Sequence, residues 1–339
     1  MRKNLAQKLL IILLLIATLS FVLSSYNTSL AVTETSDTEQ FYVSDETLTE
    51  EELLEEESQP KEEEKILKYN AKTGETTEID MEEVRENIIN SYSVNAKQTQ
   101  TQTTPTHTTS YDPYASKVSQ KLITPRSTYT RVTAYSDFPY RITCRLIYDV
   151  YGATGIATGF LVGPNLLLTA AHCVMNMNDG DATFADWKAY PGYNNGSSFG
   201  GYSAGWSEII YSSNWKGNHG TSDDWCLCIL EDNLGSYCGW NGCQSYGTAA
   251  EMVGIPVRTV GYAGSEGNGR YQYYSSGSIT SAYSGFIYSS AMSTGGMSGG
   301  PTMRTSDNYV VAINRGHTST SGVGVRIHQT IIDLINERS

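Results

Sequence analysis

The sequence predicts an all-β fold over residues 122–339: a barrel or sandwich of short strands followed by one closing helix, with an acidic and mostly disordered segment ahead of it. The strands are read from texture. Beyond Leu122, short apolar stretches alternate with Gly, Ser, Asn and Tyr, and 141–150, 157–162, 166–170, 225–230, 257–262 and 309–314 each have the length and composition of a strand. The helix is read from periodicity, since Ile327, Ile331, Leu334 and Ile335 recur at helical spacing between Arg326 and Arg338. These 218 residues are a usual size for one all-β unit built from two packed halves.

The disordered segment is read from charge. Residues 32–121 hold 21 acidic and 8 basic side chains, a net of −13, whereas 122–339 hold 15 and 12, a net of −3. The like-charged runs 50–57 and 62–64 and the Thr/Gln tract 98–110 lack the apolar periodicity to bury a core. Residues 82–89 suggest one short helix. On composition this segment reads equally as a solvated linker and as a pro-region. Ahead of it, Arg2, Lys3 and Lys8 precede an apolar run at 9–23, the two parts of a secretory signal. That run is shorter than the roughly 20 residues a spanning helix needs. Cleavage after Ala31 fits the small residues there, with Ser25 a second position. The expected organisation is a signal peptide at 1–31, an acidic pro-region and Thr/Gln linker at 32–121, and the β unit at 122–339. Export follows, with no stable membrane insertion once the signal is removed.

Chemistry enters with Thr169-Ala170-Ala171-His172-Cys173, which places a histidine where an apolar strand ends in a turn. An imidazole held rigidly beside a hydroxyl takes its proton during attack and returns it to the leaving group. Gly295-Gly296-Met297-Ser298-Gly299-Gly300-Pro301 supplies that hydroxyl. Its glycines let the chain turn tightly, so the N–H groups of Gly296 and Ser298 can approach a substrate carbonyl as an oxyanion hole. The orienting carboxylate is Asp224, anchored by the apolar run 225–230. The order His, Asp, Ser, with separations of 52 and 74 residues, suits one site between two halves. Residues 296–300 also satisfy the G-x-S-x-G pattern of α/β-hydrolase esterases, but that fold needs its acid and histidine after the serine, where only 41 residues remain.

With these motifs the region from Leu122 onward resembles the chymotrypsin-like serine peptidases, and within them the bacterial glutamyl endopeptidase (V8-like) branch. The likeness extends to 129–134, 139–141, 190–192, 260–262 and 291–296. It implies two six-stranded antiparallel Greek-key barrels with a C-terminal helix and peptide-bond hydrolysis through an acyl-enzyme. It implies no metal or organic cofactor, and a zymogen cut near Lys121–Leu122. In this branch glutamate is recognised through a pocket threonine, matched by Thr294, and a histidine whose place Asn314 takes; Arg315 or His317 then either supplies a positive group or faces solvent. Met292 stands where trypsin-like members have an aspartate, so cleavage after Lys or Arg is not expected. Ala157 replaces a cysteine that can bridge to the one after the histidine. Among the six cysteines a small Cys238–Cys243 loop fits an exported protein, while Cys226 and Cys228 fit either a bridge or plain burial.

The expected partners are protein or peptide substrates, and the folded unit is large enough to be a monomer. The mildly acidic β unit lacks the basic stripe of a nucleic-acid binder. The competing reading is a catalytically silent binding module of the same fold.

Overall fold

The computed structural model describes residues 41–42, 47–58, 63–95, 104–114, 129–177 and 181–339. The signal peptide, its cleavage after Ala31 and the cut at Lys121–Leu122 lie outside these residues. Ahead of the main unit come β1 (Phe41–Tyr42), α1 (Glu50–Ser58), β2 (Ile66–Asn70), β3 (Thr76–Ile79), α2 (Met81–Asn95) and β4 (Thr130–Arg131). The first half of the main unit contains β5 (Thr143–Val150), β6 (Ala153–Leu161), β7 (Leu166–Thr169), the small hairpin β8 (Met175–Asn176) and β9 (Ala182–Thr183), then β10 (Ala185–Pro191), β11 (Trp206–Ser212) and β12 (Cys226–Leu230). After the short helix α3 (Leu234–Cys238) the second half contains β13 (Pro256–Gly261), β14 (Tyr273–Ala282), β15 (Phe286–Ser289), β16 (Pro301–Arg304), β17 (Val310–His317) and β18 (Gly322–Arg326). Helix α4 (Gln329–Arg338) ends the chain.

The two halves are the two six-stranded antiparallel barrels that the resemblance implies. In the first the order is β10-β5-β6-β7-β12-β11. Ala204, just before β11, exchanges backbone hydrogen bonds of 2.9 and 3.2 Å with Ala189 of β10 and draws the ends together. In the second the order is β13-β16-β17-β18-β15-β14, closed by β13 pairing with β14. All six strands read from the sequence are present, with ends shifted by up to four residues. Leu166, Leu167 and Leu168 are all buried: β7 lies inside the core on both faces, so it shows an unbroken apolar run instead of alternation. An α/β-hydrolase is excluded, because these sheets are antiparallel and lack crossover helices.

The expectation of a mostly disordered acidic segment is corrected. Strand β2 pairs antiparallel with β11, β3 pairs with β2, and α2 packs on α4. Asp80 caps α2, its Oδ1 accepting the N–H groups of Glu82 and Glu83 at 2.9 and 3.2 Å. Val84 and Ile88 are buried, and Arg85 Nε lies 2.9 Å from the fully buried Asp333 carboxylate. The helix read at 82–89 is therefore real and longer. Composition missed this because apolar residues of the segment find partners distant in sequence, on α4 and on the second barrel. Part of the Thr/Gln tract is laid down in the same way: Thr108 N–H donates to Cys243 O at 3.0 Å, and Tyr111 and Trp240 exchange bonds of 3.0 and 2.8 Å.

The Cys238–Cys243 loop is likewise not formed; all six cysteines are buried free thiols. Cys226 and Cys228 share one strand face, with sulfurs 3.9 Å apart, and burial holds the Cys226 thiol well above its usual range. They pack as small apolar residues.

Placing Asp at both Val84 and Ile88 should detach α2 and with it the cover over β11. Amide exchange is then expected to accelerate across 66–70 and 208–212 while the second barrel stays protected; unchanged exchange would mean that the segment is held elsewhere.

Candidate active site

Strand register builds the site. Strands β7 and β12 are antiparallel with Cys226 opposite Thr169, so the residues just after Thr169 and just before Cys226 leave the same end of one ladder. His172 follows in a single 3-10 turn, Ala171–Cys173, and Asp224 closes another, Thr221–Asp223. Asp224 Oδ2 lies 2.6 Å from His172 Nδ1, and its Oδ1 accepts the His172 backbone N–H at 3.0 Å. Asp224 is 0% and His172 5% exposed. Two bonds from one carboxylate fix both the backbone and the ring of the histidine.

Ser298 sits in the turn ahead of β16. Met297 N–H donates to Thr294 O and Gly300 N–H to Met297 O, each at 3.0 Å. Thr158 of the first barrel holds the turn with two further bonds, its Oγ1 donating to Gly296 O at 2.7 Å and its N–H to Ser298 O at 2.9 Å, while its Oγ1 also accepts Tyr262 N–H at 3.0 Å. Gly296 and Gly299 have φ of 85° and 80°. A Cβ at Gly296 would lie 2.4 Å from Tyr262 O, and one at Gly299 would lie 2.0 Å from Thr169 Oγ1. Only glycine lets this turn lie against the strand that carries His172. Among the described residues, neither the Gly296 nor the Ser298 N–H donates to a backbone carbonyl.

One residue joins the serine to the acid. Ser298 Oγ donates to the carbonyl of Arg315 at 3.2 Å, and the Arg315 side chain lies with Nε 2.6 Å from Asp224 Oδ2. His172 Nε2 is buried without a hydrogen-bond partner among the described residues. The serine–imidazole bond is thus unmade, although all the groups are gathered. Burial disfavours the charged form of His172, yet Asp224 outweighs it and leaves the imidazole more basic than usual; Cys173 adds to this and Arg315 opposes it. Burial likewise works against the Asp224 carboxylate, and His172 and Arg315 together overcome it, holding its pKa below the usual range.

The expected pocket residues lie on both sides of Ser298. Thr294 is half-buried and its carbonyl closes the serine turn. Asn314 is buried; its backbone accepts Gly299 N–H at 2.7 Å and donates to Gly300 O at 2.8 Å, while its Nδ2 has no hydrogen-bond partner among the described residues. His317 is half-buried, with Nδ1 2.9 Å from Thr318 O. Arg315 neither faces solvent nor stands free as a pocket cation, because it is 2% exposed and paired with Asp224.

Sequence reasoning missed Thr158, whose role is set by a partner 138 residues away. It also missed residues 47–56. Thr47 makes a parallel bridge with His317, and Leu48 N–H donates to His317 O at 2.9 Å. Thr49 and Glu52 form a reciprocal capping box that starts α1. Leu53 is buried against Phe286, Tyr288 and Val323, and Glu56 Oε1 accepts the N–H of Ser222, two residues before Asp224, at 3.0 Å. A T-x-x-E signature at 49–52 was present to be read.

Gly299→Ala is expected to cost about 3 kcal/mol in chemical denaturation, from backbone strain plus the clash. Gly201→Ala, with φ of 75° but nothing within 4 Å, should cost only about 1 kcal/mol. Equal losses would show that the serine turn is not packed as described. The margin of the native protein over Asp224→Asn should depend on pH in a definite sense. The lowered Asp224 pKa contributes stability above the ordinary aspartate value of about 4, lost as pH falls through the lowered value. The raised His172 pKa contributes below the ordinary histidine value of about 6.5, lost as pH rises through the raised value. Denaturation at several pH values should therefore find the margin widest between about pH 4 and 6.5.

A family profile described as trypsin-like peptidase domain matches residues 157–313. The glutamyl endopeptidase of Bacillus licheniformis is 29% identical over 179 residues, 53% of this chain and 54% of that protein. The extracellular metalloprotease of Bacillus subtilis is 34% identical over 138 residues, 39% of this chain and 42% of that protein. The chain thus spans about half the length of these curated relatives. Among solved structures, a Glu endopeptidase in complex with MPD superposes with a TM-score of 0.54 at 23% identity, covering 62% of this chain and 95% of that one. Among the described residues no group of three His, Cys, Asp or Glu side chains is placed to hold a metal, and no helix is long and apolar enough to cross a membrane. Residues 157–313 thus resemble the trypsin-like peptidase domain, the chain has the fold of the solved Glu endopeptidase, and it is similar in sequence to the glutamyl endopeptidase of Bacillus licheniformis.

Proposed function

We propose that the chain is an exported serine endopeptidase, made as a zymogen, that uses Ser298, His172 and Asp224 as its triad. The observation that carries this reading is the buried His172–Asp224 pair at 2.6 Å, joined through Arg315 to a serine in a glycine-lined turn. In the reaction Ser298 Oγ attacks the substrate carbonyl as His172 Nε2 takes its proton, and Asp224 stabilises the imidazolium through Nδ1. The N–H groups of Gly296 and Ser298 receive the oxyanion, each donor contributing on the order of 3 kcal/mol in comparable sites. The imidazolium then protonates the leaving amine, and water repeats the sequence on the acyl-enzyme.

The zymogen reading assigns 1–31 as the signal, 32–121 as a pro-region cut near Lys121–Leu122 and 122–339 as the active unit. Its support is the path of residues 47–56, which tie His317 on one side of the site to the turn bearing Asp224 on the other. With α1 docked, a substrate strand has no access to that edge, and the serine–imidazole bond is unmade. Export and a monomeric state complete the reading. The preference is for Glu or Asp before the scissile bond, with Thr294, Asn314 and His317 around the acidic side chain. Asn314 Nδ2 is a buried donor available to such a carboxylate.

The test is a mixed peptide library given to the secreted, processed protein and to Ser298→Ala. Cutting after Glu and Asp that disappears in the variant is expected. No cutting by folded, processed protein would leave the silent binding module, and cutting indifferent to acidic residues would reject the pocket assignment. Mass spectrometry should find the secreted form starting near residue 122, and a start at 32 would remove the pro-region. Leu53→Asp should raise cleavage by the uncut chain at least tenfold, a loss of about 1.4 kcal/mol of docking energy.

A further inference from the structure

A buried arginine beside the acid of a catalytic pair is a costly arrangement, since each ion loses several kcal/mol of hydration unless it is fully compensated. Arg315 is 2% exposed and Asp224 is 0% exposed. Their contact falls on Oδ2, the same oxygen that faces His172 Nδ1 at 2.6 Å, while Oδ1 is occupied by the His172 backbone N–H at 3.0 Å. The backbone of Arg315 is fixed as well: its carbonyl accepts the Ser298 hydroxyl, and the neighbouring Asn314 exchanges bonds with the serine turn. Strand β17 therefore brings a permanent cation to the same carboxylate oxygen that the imidazole contacts. The groups acting on His172 are Asp224 ahead of β12, Cys173 on its own turn and Arg315 of β17. Of these only Arg315 is positive.

We propose that Arg315 is a positioning residue for the triad, whose guanidinium shares Asp224 Oδ2 with His172 and thereby fixes the carboxylate and moderates the basicity of the imidazole. A carboxylate facing only His172 would raise the proton affinity of the imidazole further, and a general base must be neutral to act. The arginine opposes that rise while the same carboxylate still orients the ring, and His172 remains more basic than usual. A residue that merely filled space would leave the proton affinity of His172 alone.

The effect on His172 is independent of the peptidase reading; the effect on rate rests on that reading. The test titrates His172 by NMR in the full chain labelled with 15N-histidine, assigning its signal among the five histidines with His172→Gln. Arg315→Met, which keeps length and removes charge, should raise the midpoint by about one pH unit, a tenfold gain in proton affinity. Arg315→Lys should stay within about 0.3 units of the parent. The acid limb of kcat/KM for peptide cleavage should move with the midpoint. A folded Arg315→Met with an unmoved midpoint would overturn the proposal, whether or not the chain cleaves peptides. A moved midpoint in a chain that cuts nothing would uphold it and remove the peptidase reading instead. If Arg315→Met does not fold, Arg315→Lys decides: a parental midpoint supports the charge role, and a shift of about one unit overturns it.

Discussion

The site depends on one antiparallel register. With Cys226 opposite Thr169, the chain leaving β7 and the chain entering β12 emerge side by side, and the side chains that follow and precede those residues meet. A slip of one residue would carry Asp224 away from His172. The register is in turn held by burial, because Leu167, Leu168, Leu227 and Cys228 are all inaccessible. The barrel core thus does more than stabilise; it brings two ionisable groups within hydrogen-bond reach.

Charge at the junction of the barrels is the second constraint. His172, Asp224 and Arg315 are all buried, and one carboxylate serves two cations or near-cations. Such a cluster tolerates no missing partner, since a lone buried ion is far more costly than a paired one. The serine turn adds no charge and is held by neutral bonds from Thr158 and by two left-handed glycines. Rigid hydrogen bonding places Ser298, and electrostatics places His172.

Much of this was legible in the residues. The strands and the terminal helix followed from apolar runs and spacing, and His172, Asp224 and Ser298 stood out because their local sequences constrain them: an apolar strand end, an apolar strand start, and glycines on both sides. What was not legible depends on partners distant in sequence. Composition marks 32–121 as solvated, yet Val84 and Ile88 are buried on a helix that packs on α4, and Leu53 is buried against Phe286, Tyr288 and Val323. Arg315 is ambiguous for the same reason, as nothing in Asn314-Arg315-Gly316 tells whether a guanidinium turns outward to solvent or inward to Asp224. The cysteines suggested bridges because export suggested oxidation, but in the structure all six are buried free thiols.

The central claim, that Ser298 becomes a nucleophile when the strap at 47–56 leaves, is tested most directly by a fluorophosphonate probe and peptide mapping of the adduct. The account predicts a single adduct on Ser298 in the processed protein, little or none in the uncut chain and none in His172→Gln. Labelling at another residue, or equal labelling of the uncut and processed forms, would contradict it.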